Sequence, residues 1–248
     1  MNCDIHGRSS YAMMVVVFVL WFAPFARAED VITLLFTDRA PYTEMTQDGS
    51  PVGLVATEAT YAFMTADLRY AWQVSSFKRI LQTIEQPTGQ NCAAGLYKTP
   101  ERERFAKYTK PIFRDGQTVL IVRKEIAVPS SVKFEYILTI PNLRILVKGS
   151  YSYGAMIDGI FAKLKPNLII ADVEVRQMVE MLKGNRGDAL IASAEEANYL
   201  MKELDRSGRT LKTVSLIDSP LGEYRYILCS KAVPDDVIER LNRTIRLK

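Results

Sequence analysis

The chain has 248 residues, with 32 basic and 28 acidic side chains and a formal net charge of +4. That balance argues against a nucleic-acid binder, and no Lys/Arg run with interleaved aromatics stands in the sequence. Hydrophobic residues make up 48% of the chain, which suits one large domain or two of about 100 residues each.

Arg8 precedes an apolar run from Ala12 to Ala23, Pro24 follows it, and Ala26-Arg27-Ala28 supplies small residues before Glu29. This is the layout of a cleavable secretory signal peptide over residues 1–28; the run is short of the ~20 residues a transmembrane helix takes. An uncleaved anchor is the competing reading. Without a Cys at the cleavage point, the layout is not that of a lipoprotein. Cleavage removes Asp4, Arg8 and Arg27 and leaves an exported chain of 220 residues with net charge +3. It also removes His6, the only histidine. A chain without histidine builds no Ser-His-Asp triad and no His-ligated metal site, and lacks the usual general base near neutral pH. Carboxylates, Lys and Tyr remain for acid–base work. Cys92 and Cys229 survive in apolar strand-like runs, where a disulfide and two buried thiols are both ordinary. Two cysteines alone do not make a zinc site.

Along the mature chain strands and helices alternate. Val31 to Phe36 reads as a strand, Asp48-Gly49-Ser50-Pro51 as a turn, and Leu54 to Met64 as a helix. Leu68, Tyr70, Trp72 and Val74 alternate at period two; Ser76 then caps a helix carrying Phe77, Ile80, Leu81 and Ile84. A strand at Cys92 and a helix at Thr99 follow, then a strand at Thr118 to Val122. Periodicity lapses around Pro129. It restarts with a strand at Arg144 to Val147, a helix from about Tyr151 to Leu164 and a strand at Leu168 to Ala171. A helix with Val175, Met178, Val179 and Leu182 follows, then a strand at Asp188 to Ala192 and a helix through Leu200. Tyr224 to Cys229 is the last strand, and Pro234 opens a final helix. Such an order predicts an α/β fold of two mostly parallel sheets flanked by helices. The expected division is 29–123 for the first lobe, 124–222 for an inserted second lobe, and 223–248 for the return to the first.

The most informative stretch runs from Cys92 to Phe105. A strand stops at Gly95, Thr99 suits an N-cap and Pro100 the first helical position. A helix start draws anions, and Arg102 on that first turn adds a planar fork of donors that fits a carboxylate. The segment reads as a carboxylate trap.

This ordered set resembles the bacterial extracellular solute-binding proteins, family 3, the polar amino-acid type with the type II fold. The likeness starts at Pro41-Tyr42 with Gly49-Ser50-Pro51-Val52-Gly53-Leu54, continues through Phe77-Lys78-Arg79-Ile80-Leu81 and Thr99-Pro100-Glu101-Arg102, and takes in the strand Val119 to Arg123. Val147-Lys148-Gly149-Ser150-Tyr151, Gly187-Asp188-Ala189-Leu190 and Tyr226 to Lys231 complete it. The resemblance implies two lobes that close on a solute about a two-strand hinge, in the periplasm. It gives Arg102 the ligand carboxylate, with Thr99 beside it. Phe77 and Tyr42 match ring positions that pack on the ligand, and Ser150 and Tyr151 match the loop closing from the second lobe. Phe77 also fits as a core member of its helix stripe, and Tyr151 as a cover for Gly149. The implied partners are a small carboxylated ligand and an ABC permease or membrane sensor, with no nucleic acid, no cofactor and no metal; the chain is expected as a monomer.

One departure bears on the ligand. Family members that bind α-amino acids place an acid shortly after the Gly-Asp-Ala strand, to pair with the ligand ammonium. That position here is Ser193, with Glu195 and Glu196 just beyond, and the usual acidic pair after the first glycine-led turn is Val55 and Thr57. Serine accepts a hydrogen bond but does not neutralise a buried ammonium. A small carboxylated or anionic solute is thus favoured. The competing reading is an enzyme on the same scaffold, similar to the cyclohexadienyl dehydratases, with Lys98 and Glu195 as its candidate acid–base groups.

Overall fold

The computed structural model describes Met1 and residues 31–219 and 221–247. Residues 2–30, with the expected apolar run and the cleavage site before Glu29, lie outside the described residues.

The chain opens with strand β1 (Ile32–Phe36), the short pair β2 (Glu44–Met45) and β3 (Pro51–Val52), and helix α1 (Leu54–Thr65). Strand β4 (Tyr70–Val74), helix α2 (Phe77–Glu85), strand β5 (Asn91–Tyr97) and the single turn α3 (Pro100–Glu103) follow. Next come β6 (Ala106–Arg114), β7 (Thr118–Arg123), β8 (Ser131–Val132), α4 (Phe134–Leu138), β9 (Ile145–Lys148), α5 (Ala155–Leu164) and β10 (Leu168–Ala171). The rest is α6 (Val175–Lys183), β11 (Ala189–Ser193), α7 (Ala194–Leu204), β12 (Leu211–Leu216), β13 (Tyr224–Ser230) and α8 (Asp235–Thr244).

Two sheets result. The first runs β4-β1-β5-β13-β6, with β4, β1 and β5 parallel and β13 antiparallel to both its neighbours. The second runs β10-β9-β11-β7-β12-β8, with β7 antiparallel to β11 and β12. Strands buried on both faces read as continuous apolar runs, and the side chains divide between the faces at period two. Leu34 packs with Phe63, Ile227 and Leu241 under α1 and α8, while its neighbour Leu35 packs with Ile80, Ile84 and Leu228 under α2. In the second sheet Leu120, Val122, Ile145 and Val147 face Phe134 and Ile157, whereas Ile121 and Leu146 face Met178, Val179 and Leu200.

Sheet membership moves the expected lobe boundary. Thr118–Arg123 pairs with β11 and β12, and its apolar residues fill both faces of the second sheet. The chain therefore crosses between sheets at residues 115–117 rather than at 123, and returns between Leu216 and Tyr224. Strand β6, which the pattern does not predict, lies at the sheet edge. An edge tolerates Pro111, and Lys107 and Lys110 break the apolar run that would signal a strand. The helix expected from Tyr151 starts only at Ala155, after Gly154 at φ 90°. Asp158 accepts from the Ser152 hydroxyl and the Tyr153 N–H and holds the 151–153 segment as a loop. Cys92 and Cys229, opposite each other on β5 and β13, form a disulfide.

Asp188 explains its motif as structure. Its carboxylate accepts from Arg144 Nε and Nη2, from the Arg144 N–H and from Arg123 Nη2, at 2.7–2.9 Å. Arg144 and then Arg123 hold its pKa down to about 2, below the ~3.9 of an unfolded chain. A depressed folded value means stabilisation that is complete above pH ~5 and is lost as pH falls toward ~2. The depression is worth about 2 kcal/mol. Asp188→Asn should lower the unfolding free energy at pH 7 by at least that amount, and the gap to the parent should narrow sharply at pH ~2. Urea unfolding of both proteins at the two pH values checks this; an equal gap at both contradicts it.

Candidate ligand-binding site

A cavity of about 70 Å³ lies between the two sheets. One water needs ~10–15 Å³ on this scale, so the space suits several waters or a small solute. Residues after β1, from β5, α2 and α3, and from β13 line it on one side. The 151–153 loop, Thr118 and the end of β11 line it on the other.

Arg102 reaches this cavity from a single helical turn. Thr99, in extended conformation, accepts the Arg102 N–H at 3.3 Å and starts the turn with Pro100 next. Four residues align few peptide dipoles, so the expected helix-end attraction is small and the guanidinium carries the charge. It is 5% exposed. Nη1 donates to the Tyr97 carbonyl at 2.9 Å, Nη2 to the Ser150 carbonyl at 3.2 Å, and the group lies 5.3 Å from the Phe77 ring centre. Among the described residues no carboxylate pairs with it. Burial pushes its pKa below the ordinary arginine value, the mark of a desolvated cation short of a counter-charge.

Arg225 has the partner that Arg102 lacks. It donates from Nε and Nη2 to the two Asp115 oxygens at 2.7 and 2.8 Å, and from Nη1 to the Gly95 carbonyl at 2.9 Å. Burial opposes its charge, but Asp115 together with Tyr42 and Tyr97 outweighs burial, so its pKa stands above the ordinary value. The Tyr97 hydroxyl donates to Asp115, and burial raises the Tyr97 pKa. Gly95 sits at φ +84°, where an added Cβ would stand 2.8 Å from Val55; only glycine keeps the backbone this close to α1.

The Arg225 guanidinium lies 3.7 Å from the centre of the Tyr42 ring. Tyr42 is seated by its backbone: its carbonyl accepts the Val55 and Ala56 N–H groups, and the Pro41 carbonyl accepts that of Leu54. Those carbonyls cap α1 in place of a side chain. The approach needs Gly53, at φ +124°, because a Cβ there would meet the Pro41 oxygen at 2.5 Å. Burial pushes the Tyr42 pKa up, and its hydroxyl hydrogen-bonds Ser193 across the cavity. Ser193 also accepts the Glu196 N–H at 3.2 Å as the N-cap of α7.

Arg39 makes the other crossing. Nε and Nη2 donate to the two oxygens of Glu196 at 2.6 and 2.7 Å, and Glu196 is 1% exposed. Burial works against Arg39's charge, but Glu196 raises its pKa well above the ordinary value. The guanidinium lies 4.9 Å from the centre of the Tyr151 ring, which packs edge-on against Phe77 with centres 4.3 Å apart.

Tyr42, Phe77, Arg102, Tyr151 and Ser193 thus meet at one cavity. Thr99 and Ser150 do not line it: Thr99 acts as the cap under Arg102, and Ser150, at φ 63°, turns its carbonyl to the Arg102 guanidinium. Lys98 pairs at the surface with Glu103, and Glu195 accepts the Gly116 N–H at 2.8 Å at the crossing between sheets. Neither lines the cavity. Sequence reasoning missed Arg39, Arg225, Tyr97 and Asp115. A charge inside the apolar run Tyr224 to Cys229 was the available signal for Arg225; Arg39 carried none, because its partner is 157 residues away.

The model of the bacterial extracellular solute-binding proteins, family 3, matches residues 32–165. No curated protein matches the chain by sequence. Among solved structures, an ancestral arginine-binding protein bound to arginine superposes with a TM-score of 0.69 at 15% identity, over 86% of this chain and 90% of that one. A structure from glutathione import in Gram-positive bacteria, via GshT and the cystine ABC importer TcyBC of Streptococcus mutans, gives 0.70 at 16% identity over 87% of each chain. The periplasmic VFT2 domain of Bordetella pertussis BvgS gives 0.68 at 16% identity over 86% of each. At such identities the structures establish the two-lobed type II fold alone. Among the described residues no helix is long and apolar enough to cross a membrane. The family match spans more than half of the sequence, and the chain belongs to the bacterial extracellular solute-binding proteins, family 3.

Proposed function

We propose that the chain captures a small carboxylated solute between its two sheets, in the periplasm, and presents it to an ABC importer or a membrane sensor. The observation that carries this reading is Arg102: a buried guanidinium on the cavity wall with two carbonyls and no carboxylate. A guanidinium has five N–H donors, so donors remain for a carboxylate after Tyr97 and Ser150 are served. Phe77 and Tyr151 would cover the solute with their rings, and Tyr42 and Ser193 would close the far wall. The arginine-binding protein and the substrate binding protein of an amino acid ABC transporter among the structural neighbours support the same class of task. That Lys98 and Glu195 stand off the cavity favours binding over a lyase on this scaffold.

A thermal-shift panel of monocarboxylates, dicarboxylates and amino acids supplies a ligand for the tests. Arg102→Ala should weaken it by roughly 10²-fold or more, since a charge-assisted hydrogen bond contributes ~1.5–3 kcal/mol and each ~1.4 kcal/mol is tenfold. Arg102→Lys should recover only part, because a point charge does not reproduce the fork. Exposed Arg104 is the internal control, and Arg104→Ala should leave affinity within about threefold. Calorimetric titration decides. A folded Arg102→Ala that binds like the parent removes the carboxylate trap.

Arg102 touches Ser150, and Phe77 touches Tyr151, so a solute on Arg102 is held from both sheets. Saturating ligand should therefore lower the radius of gyration in small-angle scattering. An unchanged radius with the same ligand bound argues against closure.

A further inference from the structure

We infer that the solute is a carboxylate without an ammonium group, such as a 2-oxo acid, rather than an amino acid. The inference rests on the carboxylate-capture reading and narrows it. Arg39, Arg102 and Arg225 line the cavity, and among the described residues no Asp or Glu lines it. Three acids stand behind the wall and all are committed; Asp158 accepts from the Ser152 hydroxyl and the Tyr153 N–H. Glu196 holds Arg39 with both oxygens, and Asp115 holds Arg225 with both oxygens while also accepting from Tyr97. Lys148, beside the Tyr151 ring, is paired with Glu174. The cavity is left with one cation that lacks a counter-charge, Arg102, and that asks for one negative charge from the solute.

An amino acid would bring an ammonium with three donors as well. The cavity offers it no carboxylate, only neutral acceptors. Ser193 bonds Tyr42 and caps α7; Thr43 and Ser152 donate to the Thr37 carbonyl and to Asp158 and keep lone pairs, but a hydroxyl oxygen does not neutralise an ammonium. The Arg39 guanidinium adds a like charge on the same wall. A buried cation without a counter-charge, set beside another cation, weakens binding through both desolvation and repulsion. A planar 2-oxo group carries no charge and needs only donors, which Arg39 and Arg102 have to spare.

The test is calorimetric titration of the unmodified protein with matched pairs: pyruvate and alanine, 2-oxoisovalerate and valine, phenylpyruvate and phenylalanine, 2-oxoglutarate and glutamate. For every pair that binds, the oxo acid should bind at least about tenfold more tightly, which is ~1.4 kcal/mol. An amino acid that binds as tightly as its oxo partner, or more so, overturns the inference and leaves carboxylate capture standing. No binding by any member at millimolar concentration overturns both. In Arg39→Ala the like charge is gone from the wall and the Glu196 carboxylate behind it loses its partner, so amino acids should gain and the preference should fall toward parity. If that variant does not fold, Arg39→Ala with Glu196→Gln removes both charges and should still narrow the preference. An unchanged tenfold preference in a folded variant overturns the role given to Arg39.

Discussion

A guanidinium taken out of water has to be given acceptors and, at best, a counter-charge, because its desolvation otherwise outweighs what it contributes. Three guanidiniums reach the cavity of this protein, and the way each is satisfied organises the site. Asp115 satisfies Arg225 and thereby joins the last strand to the segment where the chain leaves the first sheet. Arg225 in turn supports the Tyr42 ring from 3.7 Å, and Tyr42 reaches Ser193 on the second sheet. Glu196 satisfies Arg39 across the same gap. Among the described residues Arg102 is served by carbonyls and by no carboxylate, so it has acceptors without a counter-charge.

This division separates structural from ligand-directed charge without reference to position in the sequence. A pair whose two members are both buried and bidentate is self-sufficient; removing one member leaves the other stranded, at a cost of about 3–5 kcal/mol. Arg225–Asp115 is of that kind; Arg39 is partly exposed, but its bidentate pair with buried Glu196 is likewise complete without a solute. Asp188, inside the motif most easily taken for a ligand-binding element, is also structural: it bridges β7 to the residue before β9. The short polar side chain at Ser193 fits the same scheme. Once Arg39 occupies Glu196, an acid at Ser193 would lack a cation unless the solute brought one.

Much of the fold was legible because local and tertiary demands agree. The spacing of Val175, Met178, Val179 and Leu182 gives one helix face, and all four are buried on the second sheet. Thr99-Pro100 announces its turn and makes it, though without the length expected of a helix. Where demands conflict, the pattern misleads. Pro111 and two lysines conceal β6, which an edge position permits. Residues 151–154 continue an apolar-polar rhythm into α5, yet Asp158 and Gly154 hold them as the loop that carries Tyr151 to the cavity. For the site, side chains that answer to their own neighbours could be found, as Arg102 was. Side chains that answer to a distant partner could not: Arg39 and Glu196 meet only when both sheets are assembled, and Arg225 and Asp115 only when the returning strand is in place; Tyr42 and Ser193 came from the resemblance, which said nothing of their bond to each other.

The bond between Cys92 and Cys229 gives the molecule an unusual chain topology. The bridged residues are 137 apart in sequence, and every strand of the second sheet lies between them. The second sheet is therefore part of a covalent ring whose clasp sits in the buried core of the first. Pulled apart, the sheets cannot unzip from β5 and β13, since the clasp keeps those strands side by side. The ring leaves and re-enters the first sheet through two strips of backbone, at residues 115–117 and between Leu216 and Tyr224. A single backbone cut anywhere in the second sheet opens the ring but releases no piece, so the nicked chain runs as one species until the disulfide is reduced.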